Sequence, residues 1–211
     1  MPEKHAAAEF VNLFPTEDIP RIVQNVQNCC NSLARISLYE TENNISKRLY
    51  RQICQLPEYR RGPIVPLWES WTVNLTELDA EITGRADILF LCGGLETYFL
   101  IEAKRLYVTY PSGKTEALVT DYINDGMMRY VTSQYASKMT EGAMLGYVCN
   151  GTVPVAKYAL SAEVDKQAVK LRLAENGAWQ ESALAVAPPV DETCHKLDNR
   201  DFTMYHILTK V

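Results

Sequence analysis

The segment GRADILFLCGGLETYFLIEAKRL, residues 84–106, indicates how the centre of this chain folds. Its two apolar runs, 88–91 and 98–101, are rich in the branched and aromatic side chains that favour buried strands. Gly93 and Gly94 lie between the runs, and glycine supplies the backbone freedom that a tight loop needs. The segment therefore predicts a β-hairpin whose two strands belong to the core.

Two acidic residues lie at the ends of these apolar runs. If residues 93–96 form the loop, Leu91 faces Tyr98 and, further along, Asp87 faces Glu102. Directly opposed residues of paired strands have Cβ atoms about 5 Å apart, although a register shift of one residue breaks this pairing. Two carboxylates at that distance repel each other, so one takes a proton or a cation lies between them.

Lys104 shares a strand face with Glu102, because side chains alternate between the two faces of a strand. Oxygen-rich sites suit hard cations such as Mg²⁺, which take one or two protein carboxylates and keep several waters. A lysine beside such an ion contacts a water or a phosphate oxygen, which predicts metal-assisted hydrolysis of a phosphodiester. Alternatively, these charges are exposed at strand ends and pair with Arg85 and Arg105.

The pattern of these residues resembles the PD-(D/E)XK nuclease superfamily, the fold of many restriction endonucleases and of related repair and defence nucleases. Asp87 is followed, with fourteen residues between, by Glu102 and then Lys104 on the next predicted strand. The resemblance covers residues 38–150, with Ala86 where the motif has proline. It implies a restriction-endonuclease-like core in which Asp87 and Glu102 bind Mg²⁺, for which Mn²⁺ can substitute, and Lys104 positions or activates the attacking water.

The family often adds an acid from an upstream helix, and the resemblance implies that Glu42 joins the metal ligands and the catalytic residues. Glu42 continues an apolar helical stripe that includes Ile45, and Glu40 is the neighbouring candidate. Alternatively, Glu42 is an acid in the first turn of a helix, where the helix dipole favours negative charge.

Some branches of the family place a glutamine and a tyrosine near the metal or the DNA, in the helix after the motif. Tyr130 and Gln134 are four residues apart and share a face of the helix predicted for 118–140. They are therefore candidates for substrate binding, with an ordinary boundary glutamine as the alternative.

A basic patch begins in the second predicted helix, on a chain whose net charge is -5. Lys47, Arg48 and Arg51 are candidates to contact phosphates, and a solvated helix face is the alternative. An acidic protein attracts nucleic acid only through such a local patch or through another subunit. We therefore expect a homo-oligomer or a larger partner subunit.

The whole pattern predicts one α/β domain, 1–211, with a mixed β-sheet flanked by helices. Predicted helices cover 19–33, 41–56, 118–140 and 155–174. Predicted strands cover 71–77, 88–91, 98–101, 143–149, 182–186 and 202–209. Predicted irregular segments are a loose lead-in at 1–16, a proline-rich connection at 57–70 and a polar loop at 108–117.

Composition and cysteine usage favour a cytoplasmic protein. Apolar residues make up 47% of 211, enough for a proper core. The six cysteines form no CxxC pair, which favours reduced thiols. The first ten residues lack the apolar core of a signal peptide, and no apolar run approaches the ~20 residues of a membrane span.

The resemblance implies a metal-dependent nuclease that acts on DNA, since the superfamily mostly does, in a bacterial defence or repair system. The first alternative is a catalytically inactive nuclease-fold module that binds nucleic acid or serves in assembly. The second is a structural α/β protein with coincidental charges. An intact set of two acids and a lysine favours the active enzyme.

Overall fold

The computed structural model describes residues 14–73, 82–93, 97–198 and 200–211. Most of the predicted lead-in, 1–16, therefore lies outside the described residues. The strands are β1 Ile64–Val73, β2 Ile82–Cys92, β3 Tyr98–Leu106, β4 Val108–Thr109, β5 Thr115–Glu116, β6 Glu141–Val148, β7 Gln180–Glu181, β8 Asp191–Lys196 and β9 Asp201–Lys210.

Seven of these strands form one sheet in the order β1-β2-β3-β6-β9-β8-β7. The central pairs β3–β6 and β6–β9 are parallel, and the outer pairs are antiparallel. The sheet is thus mixed, as predicted. Each parallel pair is joined by a crossover that contains helices on one face, and the helices before β1 cover the other face.

The helices follow from apolar stripes and caps. They are a 3-10 turn Thr16–Asp18, α1 Ile19–Asn31, α2 Glu42–Ile53, α3 Pro57–Arg61, α4 Val119–Tyr122, a π segment Ile123–Met127, α5 Met128–Val131 and α6 Val153–Lys166. α1 to α3 pack on one face of the sheet, and α4 to α6 pack on the other. Within the described residues, no helix is long and apolar enough to cross a membrane.

The predicted register of the hairpin is confirmed where the strands pair. Leu91 faces Tyr98, and the pairing continues to Ile88 and Ile101. The tip, 94–96, lies outside the described residues. Apolar side chains alternate along β3, so each helical layer packs against its own set of strand residues.

The proline-rich connection predicted for 57–70 is wrong. Residues Pro57–Arg61 form α3, and β1 begins at Ile64 and includes Pro66. β1 is the edge strand of the sheet, where a missing backbone N–H is tolerated. The strand predicted for 71–77 extends to Val73, and 74–77 lie outside the described residues.

Two predicted helices are too long. The helix predicted for 118–140 ends at Val131, because Ser133 and Ala136 have φ of 60° and 52° and leave the helical region. The helix predicted for 155–174 covers Val153–Lys166 and is followed by turns.

Two further segments differ from the prediction. The polar loop predicted for 108–117 contains the short hairpin β4–β5. Residues 182–186 are not a strand. Just after them, Gln24 of α1 donates to Ala187 O and accepts from its N–H, and Gln27 donates to Pro188 O. Helix side chains hold the backbone at the end of this segment.

Candidate active site

β2 and β3 separate at the residues that carry the predicted site. Backbone pairing ends at Ile88 and Ile101, so Asp87 and Glu102 do not pair through their backbones. Their side chains still interact, as the prediction that they face each other requires. Asp87 Oδ2 also accepts a hydrogen bond of 2.7 Å from the Ala103 backbone N–H. The carboxylate takes the place of a ladder bond, while β3 stays paired with β6 on its other side.

Glu102 is the most deeply buried acid of the site, with 1% of its surface exposed. Its Oε1 accepts hydrogen bonds of 2.8 Å from both Lys104 Nζ and Arg129 Nη1. Its Oε2 is buried and has no hydrogen-bond partner among the described residues. Burial, followed by the negative charge of Asp87, raises the pKa of Glu102 to about 8. This carboxyl group therefore strongly favours a proton or a cation on its free oxygen.

Lys104 connects the carboxylates on two elements. Its Nζ lies 2.8 Å from Glu102 Oε1 and 3.4 Å from Glu42 Oε1, and it donates to Ala103 O at 3.1 Å. Burial lowers the pKa of Lys104, but the charges of Glu102 and Glu42 outweigh burial and leave that pKa above its ordinary value. Lys104 is therefore an ammonium group at neutral pH, a donor and not a base.

Glu42 is the first residue of α2, directly after the N-cap Thr41, whose side chain accepts from the Asn44 N–H. Its Oε2 accepts a hydrogen bond of 2.9 Å from the Arg105 N–H, so both carboxylate oxygens face β3. Burial raises the pKa of Glu42, although the positive charge of Lys104 opposes this. The structure thus brings Glu42 into the site, and its role as a metal ligand stays a prediction.

The alternative of exposed strand-end charges is wrong for Glu102 and Lys104, whose side chains are 1% and 13% exposed. Arg85 pairs instead with Glu69, at 3.3 Å. Arg105 donates to a backbone carbonyl of the loop before α2.

The charges of this cluster fit one divalent cation. Without a cation, the raised pKa of Glu102 favours its protonated form at neutral pH. When a bound cation keeps Asp87, Glu102 and Glu42 ionised, these three carboxylates and the two cations Lys104 and Arg129 give a net charge of −1. In the described part of the chain, no three His, Cys, Asp or Glu side chains form a ready-made metal cluster. The buried free oxygen of Glu102 is nevertheless the hard ligand that Mg²⁺ prefers, so the residues present fit such an ion.

Arg129 is a site residue that the sequence did not indicate. Its Nη1 contacts Glu102 Oε1 and also the Tyr135 hydroxyl, at 2.6 Å, and that hydroxyl lies 2.6 Å from Arg85 O. Arg129 lies in α5, directly after the π segment. A π segment changes the helical spacing, so periodicity could not have assigned Arg129 to this face.

The two predicted substrate contacts after the motif do not share a helix face. Tyr130 is fully buried, and its hydroxyl lies 3.1 Å from Leu100 O and 2.9 Å from Ala143 O. Gln134 lies beyond the end of the helix and is half-buried. Tyr130 is therefore a core residue beside Glu102, and its buried hydroxyl is bonded to backbone and is not accessible to a substrate.

The predicted basic patch is divided. Arg48 forms two hydrogen bonds of 2.9 Å with Glu40, which is 6% exposed. Both carboxylate oxygens of Glu40, the neighbouring candidate to Glu42, are therefore bonded to Arg48. Lys47 is exposed above the Trp68 ring, 5.6 Å from its centroid, and Arg51 is exposed. Lys47 and Arg51 remain accessible to a phosphate, whereas the Arg48 guanidinium is largely committed to Glu40.

Comparison with known proteins finds no family model, no curated protein and no solved structure that matches the chain. The geometry of the site therefore carries the functional interpretation.

Proposed function

We propose that this chain is a Mg²⁺-dependent nuclease with a restriction-endonuclease-like core, and that Mn²⁺ substitutes for Mg²⁺. The observation that carries the proposal is the Glu102 carboxylate. It is buried beside Asp87, it contacts an ammonium group through one oxygen, and its other oxygen has no partner in the described residues. A buried oxygen of this kind, in a cluster of charge −1, favours a divalent cation.

Glu102 Oε2, Asp87 and Glu42 are the groups that would hold the ion. A bound divalent ion neutralises phosphoryl charge and makes water a better nucleophile at neutral pH. Lys104 is an ammonium group with three contacts, and it exchanges the longest of them, 3.4 Å to Glu42 Oε1, for a hydrogen bond to the attacking water or to a phosphate oxygen. Asp87 and Glu42 also bind backbone amides of β3, which fixes the strand that carries Glu102 and Lys104.

DNA is the substrate that we propose, in the cytoplasm and with a second copy or a partner subunit that helps to recruit it. The net charge of -5 supports the need for such help, because an acidic molecule gains little from long-range attraction to phosphates.

The test is hydrolysis of labelled DNA and RNA with Mg²⁺, with Mn²⁺ and with chelator. Asp87→Asn, Glu102→Gln and Lys104→Met should each lower the rate by about 10²-fold or more, the scale for loss of one electrostatic group in an active site. Lys114→Met, in the exposed β4–β5 hairpin, is the matched control and should retain activity.

Full activity of Lys104→Met contradicts the role of that lysine. Binding of DNA by the parent protein without hydrolysis under any metal would instead favour the inactive binding module.

A further inference from the structure

Arg129 contacts a buried carboxylate, yet part of its own side chain is exposed to solvent. Its side chain is 32% exposed, whereas the Glu102 side chain that it contacts is 1% exposed. Nη1 supplies both hydrogen bonds of Arg129, to Glu102 Oε1 and to the Tyr135 hydroxyl. A guanidinium has five N–H donors, and those on Nε and Nη2 have no acceptor within the described residues. Arg129 therefore has free donors beside the carboxylate cluster.

Tyr135 fixes the position of this guanidinium. The ring centroid lies 5.3 Å from the guanidinium carbon, and the hydroxyl accepts from Nη1. The same hydroxyl donates to Arg85 O, two residues before Asp87 on β2. Arg129 thus contacts Glu102 on β3 and is tied through Tyr135 to β2. It spans the place where the two strands separate, unlike a mobile surface arginine.

Arg48, a candidate from the predicted basic patch, shows why Arg129 is the better candidate for an anion. Arg48 uses Nε and Nη2, one side of its guanidinium, for the two oxygens of Glu40. Among the described residues, no acceptor contacts the same two nitrogens of Arg129, whose hydrogen bonds there use Nη1. A planar guanidinium edge matches two oxygens of a phosphate.

We propose that Arg129 binds a non-bridging oxygen of the substrate phosphate, an inference that rests on the proposed nuclease function. Arg129 Nη1 and Lys104 Nζ both lie 2.8 Å from Glu102 Oε1. In this proposal, a phosphodiester bound beside Glu102 and Lys104 accepts from Nε or Nη2 of Arg129. A divalent ion added to a cluster of net charge −1 gives a net charge of +1, and the phosphate anion balances that positive charge.

The first measurement is the affinity of labelled single- and double-stranded oligonucleotides by fluorescence anisotropy, with Ca²⁺ present and salt varied. Arg129→Gln should weaken binding about tenfold. It should lower the slope of log K against log salt by about 0.7 for single strands or 0.9 for duplex, the value of one lost phosphate contact. Arg129→Lys should keep the slope but not the full affinity. Arg21→Gln removes an arginine paired with Asp18 on α1 and should leave both values unchanged.

The second measurement is Mn²⁺ affinity by calorimetry. Arg129→Gln removes a positive charge from beside Glu102, so Mn²⁺ should bind at least as tightly as to the parent. A parallel loss of Mn²⁺ and oligonucleotide affinity overturns the proposal, because the ion then accounts for the effect. An unchanged affinity and salt slope, or a parent that binds no oligonucleotide, overturns it as well.

The two proposals fail separately. If the parent binds oligonucleotide in the Arg129-dependent way but hydrolyses nothing with Mg²⁺ or Mn²⁺, the phosphate contact stands and the nuclease function is wrong. If the parent hydrolyses DNA and Arg129→Gln binds as the parent does, the nuclease function stands and the phosphate contact is wrong.

Discussion

Asp87 joins the two strands of the hairpin at the point where their backbone pairing ends. Its Oδ2 accepts from the Ala103 N–H at 2.7 Å, so this acid satisfies an amide that has lost its ladder partner. Burial raises the pKa of Asp87, while the Ala103 amide acts in the opposite direction. Asp87 therefore has a structural contact as well as a proposed contact with the ion.

Substitution at Asp87 can separate these two contacts. Asp87→Asn keeps a carbonyl acceptor for the Ala103 amide, so we expect its free energy of unfolding in chelator to stay within about 1 kcal/mol of the parent. Asp87→Ala leaves that part-buried amide unsatisfied and should cost about 1–3 kcal/mol. Urea denaturation measures both values. Equal losses for the two variants would contradict a structural role for this hydrogen bond.

At the scale of elements, the segment 119–131 and β6 approach closely through two glycines, one on each. A Cβ added at Gly126 of the π segment would lie 2.2 Å from Met144 Cε and 3.5 Å from Lys104 Cγ. A Cβ added at Gly142 of β6 would lie 2.7 Å from Tyr130 Cε1 and 3.1 Å from Phe202 Cζ. The close approach at Gly126 brings the π segment down onto the strand face that carries Lys104.

The two glycines should differ in their response to alanine. Gly142→Ala meets two buried aromatic rings that cannot turn aside, and we expect a loss of about 2–3 kcal/mol. Gly126→Ala meets the flexible end of Met144, and alanine favours the helical backbone, so we expect a loss of about 1 kcal/mol or less. Chemical denaturation measures both, with Asp125→Ala, exposed in the same π segment, as the control. A larger loss at Gly126 would contradict this packing.

Periodicity in the sequence was sufficient for α1, α2 and the central hairpin. The apolar stripes of α1, which includes Ile22, and of α2, which includes Ile45, are buried against the sheet. The two glycine-separated runs pair in the predicted register. These elements are predictable because local spacing and tertiary burial favour the same structure. The positions of Asp87, Glu102 and Lys104 in the site follow from that register.

Elements held by polar contacts could not be predicted from apolar patterns. β8 has the sequence DETCHK, and its inward side chains include Thr193 and His195, which are buried through hydrogen bonds. The helix predicted for 118–140 ends early, and Tyr135 lies where its hydroxyl reaches Arg129 and β2. In both cases polar contacts between residues distant in sequence determine the structure, and apolar periodicity carries no signal of such contacts.

At the scale of the whole molecule, one series of hydrogen bonds runs along one face of the sheet, from α4 over β9 and β8 to the turns after α6. Tyr122 Oη lies 3.0 Å from His206 Nδ1, and Thr193 Oγ1 lies 3.0 Å from His206 Nε2 and 2.8 Å from His195 Nε2. His195 Nδ1 lies 2.7 Å from Leu171 O. Because a carbonyl only accepts, His195 donates through Nδ1, and the whole chain can then be satisfied with both histidines neutral.

The two neutral histidines of this series of hydrogen bonds predict a loss of stability in mild acid. Burial lowers the pKa of His206 well below its ordinary value, followed by the effect of His195, whose own pKa burial also lowers. Below about pH 6.5 the unfolded chain then binds protons that the folded chain does not, so the free energy of unfolding falls as pH falls. One such histidine contributes up to about 1.4 kcal/mol per pH unit, or about 2 kcal/mol between pH 6.5 and 5.

Removal of one histidine should therefore reduce by about one the number of protons that the protein takes up on unfolding in mild acid. Urea denaturation from pH 7.5 to 5 should show a shallower pH dependence for His206→Gln than for the parent, whatever its stability at neutral pH. Thr193→Val is the control, since it breaks the hydrogen-bonded chain but keeps both histidines, and it should lose stability while retaining a steep pH dependence. If His206→Gln and the parent lose stability in parallel, His206 is protonated in the folded protein. The neutral chain that links α4, β9 and β8 would then be wrong.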